Sequence, residues 1–255
     1  MKIRDHVAII TGGASGLGEA CVRGFVDEGA KVAILDFDEN RGRQIASDLG
    51  AATMFCKADV TDENHVATAI NQALERFGGI HFAVNCAGVV IPAKVLSKGN
   101  PMSISSFSKV VNINLMGTMN IIRLAAEKMV FNAPNDDGEK GVVINTASVA
   151  AFEGQIGQAA YAASKAGVVG MTLPIAREFA DYGIRVMTIA PGLFETPMLA
   201  GLPEKAKTAL IKMVPFPKRL GKSSEFAQLA MHIIDNPQLN GETIRLDSAI
   251  RMAAR

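Results

Sequence analysis

The chain has little cysteine, little tyrosine, almost no net charge and no long hydrophobic run. Its three cysteines, Cys21, Cys56 and Cys86, are too few and too scattered for a disulfide framework or a zinc site. That pattern points to a reducing compartment, and no metal is expected. Lys plus Arg number 26 against 25 Asp plus Glu, for a net charge of +1. The basic excess that neutralises phosphates is missing, so DNA is not an expected partner. No apolar run reaches the roughly 18 residues that span a bilayer. A strand-like run already begins at Val7, so no signal or transit peptide is expected. Collagen, coiled coil and small secreted scaffold are excluded.

What is present is an ordinary folded composition. Of 255 residues, 49% are apolar and 24 are glycine, which suits one large domain and excludes intrinsic disorder. Short β-branched runs at 7–11, 31–36, 52–58, 81–85, 141–147, 184–190 and 243–246 read as continuous apolar stretches. Such runs mark strands buried on both faces of a parallel sheet. Helical patterns lie between them at 16–28, 39–49, 63–77, roughly 105–131 and 158–181, with two more near 204–213 and 224–235. The alternation predicts an α/β fold: a single-domain, Rossmann-type doubly wound sheet of seven mainly parallel strands with helices on both faces. Polar stretches near 91–106 and 132–141 read as surface insertions, and residues 193–217 as a substrate loop.

After the first strand comes Gly12-Gly-Ala-Ser15-Gly16-Leu17-Gly18, then a helix. Strand, glycine turn and helix is the context of a dinucleotide site. The turn lets the backbone approach a pyrophosphate, and the helix N-terminus offers unpaired N–H groups. The spacing is G-x-x-x-G-x-G, since Cys21 stands where the G-x-G-x-x-G pattern has its third glycine. Asp36 ends the second strand and can bond the ribose hydroxyls of NAD, while repelling the 2′-phosphate of NADP. It also reads as a solvated acid, with Asp38 available to cap the next helix. Asp59-Val60, after the third strand, fits an adenine contact or an N-cap before Glu63.

Tyr161 and Lys165 stand four residues apart on one helix face. A free phenol titrates near ~10 and is a poor base, so a cation one turn away is expected to lower it. Tyr161 then takes a proton from a substrate alcohol, with Ser148 holding the substrate oxygen. The other tyrosine, Tyr182, has no lysine four residues on and reads as structural.

These residues carry a resemblance. Thr11–Gly18, Asp59-Val60, Asn85-Cys-Ala87-Gly88, Asn114-Leu-Met-Gly117, Ser148, Tyr161/Lys165 and Pro191-Gly192 resemble the short-chain dehydrogenase/reductase family from the first strand to the last. The resemblance implies strand order 3-2-1-4-5-6-7, a homotetramer, and a catalytic tetrad of Asn114, Ser148, Tyr161 and Lys165. Asn114 would hold a relay water through its backbone. It also implies cofactor contacts from Asn85, Ala87, Gly88, Pro191, Gly192, Phe194 and Thr196. Cys86 departs mildly from the family's Asn-Asn-Ala-Gly, and without a nearby histidine it does not read as a nucleophile.

Longer strings at 145–155, 170–177, 185–194 and 214–217 are similar to the branch of the family that oxidises 3-hydroxyacyl-CoA with NAD. On that reading Val149, Ala150, Ala151, Phe152 and Gln155 line an apolar pocket. Phe194, Met198 and Leu199 either touch substrate or pack. Lys94, Lys98, Lys205, Lys207 and Lys212 are candidates for a basic lip facing CoA phosphates, each also readable as a solvated lysine. Glu195 stands where a small residue is expected. The expected location is cytoplasmic, with the mitochondrial matrix as the alternative. Rival readings are a hydroxysteroid or other secondary-alcohol dehydrogenase, a 3-ketoacyl-carrier-protein reductase preferring NADPH, and, from another class, a scaffold or RNA-binding role on the same fold.

Overall fold

The computed structural model describes residues 1–200 and 204–254, without the side chains of Met198, Ala200, Ala206 and Lys207. The expectations for Met198 and Lys207, and residues 201–203 of the 193–217 loop, therefore lie outside the described residues.

Seven strands form one sheet: β1 (Val7–Thr11), β2 (Lys31–Asp36), β3 (Thr53–Lys57), β4 (Phe82–Asn85), β5 (Gly141–Thr146), β6 (Ile184–Pro191) and β7 (Thr243–Leu246). Their order is β3-β2-β1-β4-β5-β6-β7, and every pairing is parallel. The apolar runs in β1, β2, β4, β5 and β6 are needed because helices cover both faces. One face carries α1 (Gly16–Asp27), α2 (Glu39–Leu49) and α9 (Ser223–Asp235), which supply Cys21, Val22, Phe25, Ile45, Phe226 and Ile233 to that core. The other carries α3 (Glu63–Phe77), α5 (Gly117–Met129) and α6 (Ala159–Phe179), with Val66, Ile70, Ile121, Met129 and Ile175 buried. Among the described residues no helix is long and apolar enough to cross a membrane.

The expected helix near 105–131 is two helices. α4 (Ile104–Val111) gives way to a five-residue π turn, Asn112–Met116, before α5 begins. Close packing accompanies the change, since a Cβ on Gly117 would lie 2.5 Å from Val60 Cγ2. The first polar insertion holds a two-residue ladder, Leu96–Ser97 against Asn100–Pro101. The second is not wholly superficial, because Glu139 in it is buried. The 193–217 segment contributes α7 (Pro197–Ala200) and α8 (Glu204–Met213).

Register aligns the carboxyl ends that matter. Thr11 pairs with Leu35 and Asn85, and Asn85 with Asn145. In open α/β sheets ligands bind outside this edge.

Candidate active site

The glycine turn is built to let backbone come close. Gly12 has φ +63°, and a Cβ there would lie 2.8 Å from Ala87 N. Gly16 has φ +55°, and a Cβ on Gly18 would stand 2.2 Å from Gly12 O. Both distances exclude a larger residue without backbone movement. Thr11 fixes the facing loop, its Oγ1 accepting from Cys86 N at 3.1 Å and Ala87 N at 3.2 Å. Ser15 caps α1 without a side-chain hydrogen bond. The first N–H groups of α1 are thus left for another acceptor, and a helix N-terminus in that state favours an anion. Thr196 faces this turn, with its Cγ2 3.4 Å from the place of a Gly16 Cβ. Leu17 packs on the core.

Asp36 accepts from Ala14 N at 2.9 Å and from Asp38 N at 2.9 Å. Asp38 caps α2, accepting from Arg41 N at 3.1 Å, so Asp36 stays at the turn's rim. Asp59 does not cap α3. It accepts from the Thr61 backbone and hydroxyl at 2.9 and 2.7 Å, while Asp62 makes the cap. Val60 is buried, and its carbonyl accepts from Asn120 Nδ2 at 3.0 Å.

The four tetrad residues converge. Lys165 and Asn114 are buried, and a Cβ on Gly88 would lie 3.2 Å from Asn114 Oδ1 and 3.5 Å from Lys165 Nζ. Lys165 Nζ donates to Thr146 O at 2.6 Å and lies 5.9 Å from the Tyr161 ring centroid. Burial lowers the Lys165 ammonium to about 8. The expectation for Tyr161 is corrected at this point. Burial raises the phenol above its ordinary value, opposed by a hydrogen bond with Ser148. Desolvation of the phenolate outweighs the stabilising contact. Ser148 opens a short 3₁₀ turn (Val149–Ala151), its Oγ accepting from Ala150 N at 3.1 Å.

Asn114 lies in the π turn, a device frequent at functional sites. Its Oδ1 accepts from Val89 N at 2.8 Å, and its Nδ2 donates to Val89 O and Ser164 Oγ, both at 3.0 Å. Its main-chain carbonyl accepts from Thr118 Oγ1 at 2.8 Å. Ser164 and Thr146 were not singled out from sequence, although Ser164 stands inside the Tyr161–Lys165 span. Cys86 Sγ accepts from Thr146 Oγ1 at 3.6 Å. Its thiol is held below the ordinary value by a hydrogen bond from Cys21, helped by Thr146 and the Lys165 charge.

Several expected contacts are spent internally. Asn85 Nδ2 donates to Asn145 Oδ1 at 2.9 Å inside the sheet, so its side chain does not reach the cleft. Phe194 is buried in the core against Gly221, where a Cβ would lie 2.8 Å from its ring. Its ring therefore packs, and only its backbone borders the loop. Pro191 ends β6, and Gly192 N donates to Leu246 O at 2.9 Å. Gln155 Nε2 donates to Ala253 O at 3.1 Å, and Ile156 N to Ala254 O at 3.0 Å. Ala93 N donates to Gly157 O at 2.8 Å. The first insertion, residues 155–157 and the C-terminal segment thus meet. Phe152 and Ile156 are exposed there, and the Arg245 guanidinium lies 5.1 Å from the Phe152 ring. Leu199 is half-buried, and Glu195, Lys94, Lys98, Lys205 and Lys212 are exposed.

A positive-φ cradle at a helix start without a side-chain cap bond, an acid at its rim, and a half-buried tyrosine beside a buried lysine fit a dinucleotide and define a dehydrogenase. The chain belongs to the short-chain dehydrogenase family, whose model, described as short chain dehydrogenase, matches residues 6–207. It is an oxidoreductase of that family. It is 55% identical over 253 residues to the 3-hydroxyacyl-CoA dehydrogenase type-2 of Homo sapiens, covering 98% of this chain and 97% of that one. It is 52% identical over 252 residues to the Drosophila melanogaster protein of the same name, covering 98% and 99%. The crystal structure of 3-hydroxyacyl-CoA dehydrogenase type-2 from Mycobacterium avium superposes with a TM-score of 0.95 at 40% identity, covering 98% of each chain.

Proposed function

We propose that the chain oxidises short-chain or branched 3-hydroxyacyl-CoA to 3-ketoacyl-CoA, reversibly, with NAD. The observation that carries the reading is the convergence of Asn114, Ser148, Tyr161 and Lys165 beside a glycine cradle rimmed by Asp36. Relatives bearing that name over nearly the whole chain support the substrate.

Ser148 Oγ holds the C3 oxygen. Tyr161 takes the C3 hydroxyl proton as general base. A bound oxidised nicotinamide dinucleotide supplies the hydride acceptor and a positively charged ring. Lys165 keeps two N–H donors beyond the one given to Thr146 O, enough to hold a ribose hydroxyl. Its ammonium lies 5.9 Å from the Tyr161 ring centroid, where it favours the phenolate formed as the proton leaves. The Asn114 carbonyl, which accepts from Thr118 Oγ1, is the group offered to a relay water. Asp36 takes the adenosine ribose, which favours NAD over NADP. Exposed Phe152 and Ile156 offer apolar surface to the acyl chain, and Lys94, next to the Ala93–Gly157 contact, offers a cation to a CoA phosphate.

The protein assembles as a homotetramer through α5 and α6, whose exposed faces carry Met119 and Leu173, with exposed Met116 just before α5. Sedimentation tests that assembly.

Steady-state NAD reduction over acyl-CoA, steroid and simple alcohol substrates tests the function. A 3-hydroxyacyl-CoA kcat/KM far below the other classes overturns it. Tyr161→Phe is expected to bind NAD and to lose turnover. A variant retaining wild-type kcat would sink the assignment of the base.

A further inference from the structure

Asp36 and Arg41 both bond the main chain of Ala14, one at its N–H and the other at its carbonyl. Ala14 N donates to Asp36 Oδ2 at 2.9 Å, and Arg41 Nε donates to Ala14 O at 3.0 Å. The rim that presents an acid to the adenosine ribose therefore also holds a guanidinium. That guanidinium is engaged, for Arg41 Nη2 lies 3.2 Å from Glu19 Oε2. The other Glu19 oxygen, Oε1, accepts from Arg23 Nε at 3.0 Å. Arg23 has a second acid 4.0 Å away in Asp48. The remaining cations near the end of β2 are paired in the same way, with Arg43 and Lys57 both on Glu39 at 2.9 and 3.1 Å.

We propose that Glu19 is a cofactor-specificity residue, and that Arg41 is a latent binding group for a 2′-phosphate monoester which Glu19 keeps occupied. The proposal rests on the dinucleotide reading of the Gly12–Gly18 turn. A 2′-phosphate meets two obstacles at this rim: the Asp36 charge, and a guanidinium already held by a carboxylate. Removing Asp36 alone lifts the first and leaves the phosphate competing with Glu19. Neutralising Glu19 as well frees a planar donor fork suited to phosphate. The Ala14 carbonyl still positions Nε, and the Asp38 cap still fixes the Arg41 backbone.

Calorimetry with two fragments lacking nicotinamide, adenosine 5′-monophosphate and adenosine 2′,5′-bisphosphate, reads this subsite without turnover. Wild type is expected to prefer the monophosphate, and Asp36→Ser to narrow the preference. Adding Glu19→Gln is expected to tighten the bisphosphate about ten-fold further, the worth of one charge-assisted hydrogen bond, with little change for the monophosphate. Adding Arg41→Ala should abolish that gain, and high salt should shrink it. Glu19→Ala, which keeps helix propensity, is the parallel variant should Gln disturb α1. Glu19 variants without effect on the bisphosphate, or a gain that survives Arg41→Ala, overturn the proposal. A wild type that binds neither fragment overturns the dinucleotide reading and the proposal with it, an outcome distinct from the first because the monophosphate is then lost too.

Discussion

The Asn114 amide donates to the Ser164 hydroxyl at 3.0 Å, and that hydroxyl in turn donates to the Tyr161 carbonyl at 2.7 Å. The π turn that carries Asn114 is thereby tied to the first turn of the helix that carries the base. Ser164 is a positioning residue on this geometry, since its hydroxyl bonds Asn114 and the Tyr161 backbone. Ser164→Ala is expected to lower kcat about ten-fold with a nearly unchanged NAD dissociation constant, and to cost about 1–2 kcal/mol of stability, because Asn114 Nδ2 keeps only Val89 O. Ser164→Thr, which keeps the hydroxyl, should restore much of the kcat. Wild-type kcat in the alanine variant would dismiss the link.

The strands and the cradle were legible because each is a local pattern. Three strand spans, 7–11, 31–36 and 243–246, stand in the structure as expected; double burial demands the apolar runs of the first two, while the third is a half-buried edge strand. Gly12 and Gly16 announced positive φ, and Tyr161 and Lys165 share a face by helix period alone. What escaped depends on contacts far along the chain. The π turn at 112–116 is not written in helix propensity, and its neighbour Gly117 is pressed by Val60, from a segment nearly sixty residues earlier. Asn85 read as a cofactor contact from the Asn85–Gly88 motif, and register sets its side chain against Asn145 inside the sheet. The rise of Tyr161 was likewise hidden, for burial is a property of the packed site.

Burial of Lys165 has a consequence for stability. Its folded value is about 8 against an ordinary 10.5. Below pH 8 both folded and unfolded chains carry the proton, and the full cost of burying the charge is present. Between about 8 and 10.5 the folded chain releases it first, so stability rises with pH relative to a variant lacking the group. Lys165→Met is expected to be inactive yet about 1–2 kcal/mol more stable at pH 7, the shift of roughly 3 kcal/mol being offset by the lost bond to Thr146 O. Urea unfolding of both proteins at pH 7 and 10 checks this, with the gap closing at pH 10. A variant less stable than wild type at pH 7 would contradict it.

His81 provides the acid-side counterpart, at the opposite edge of the sheet. Its Nδ1 accepts from Val7 N at 3.2 Å, and its ring stands edge-on to His6 at 4.5 Å. Burial, with the neighbouring His6 second, lowers it from 6.5 to about 4. As pH falls from 6.5 toward 4 the unfolded chain takes up the proton first, so the stability present above 6.5 is lost across that window. His81→Gln removes the titration and keeps an acceptor for Val7. We expect it to flatten the acid loss by about 2 kcal/mol, discounted for partial exposure. Parallel pH profiles for variant and wild type would refute this.

Arg185 and Glu139 make the strongest structural prediction. Arg185 Nε lies 2.5 Å from Glu139 Oε1, and its Nη groups donate to Ile233 O, Leu239 O and Ile234 O at 2.8, 2.7 and 2.9 Å. Two of those carbonyls close the last turn of α9, where a cation satisfies orphan acceptors and the helix dipole together. Glu139, within the polar stretch at 132–141, is the counter-charge that lets Arg185 be buried in β6, and its Oε2 also meets Asn135 Nδ2 at 3.1 Å and Met1 N at 2.5 Å. Arg185→Met strips three carbonyls and leaves Glu139 buried with less compensation, so it should cost about 3–5 kcal/mol. Glu139→Gln keeps hydrogen bonding and should cost less. The double variant should fall short of the sum by 1 kcal/mol or more, roughly, as charges in one network couple. Chemical denaturation of the four proteins measures the cycle, and strict additivity would show that the two charges do not depend on each other.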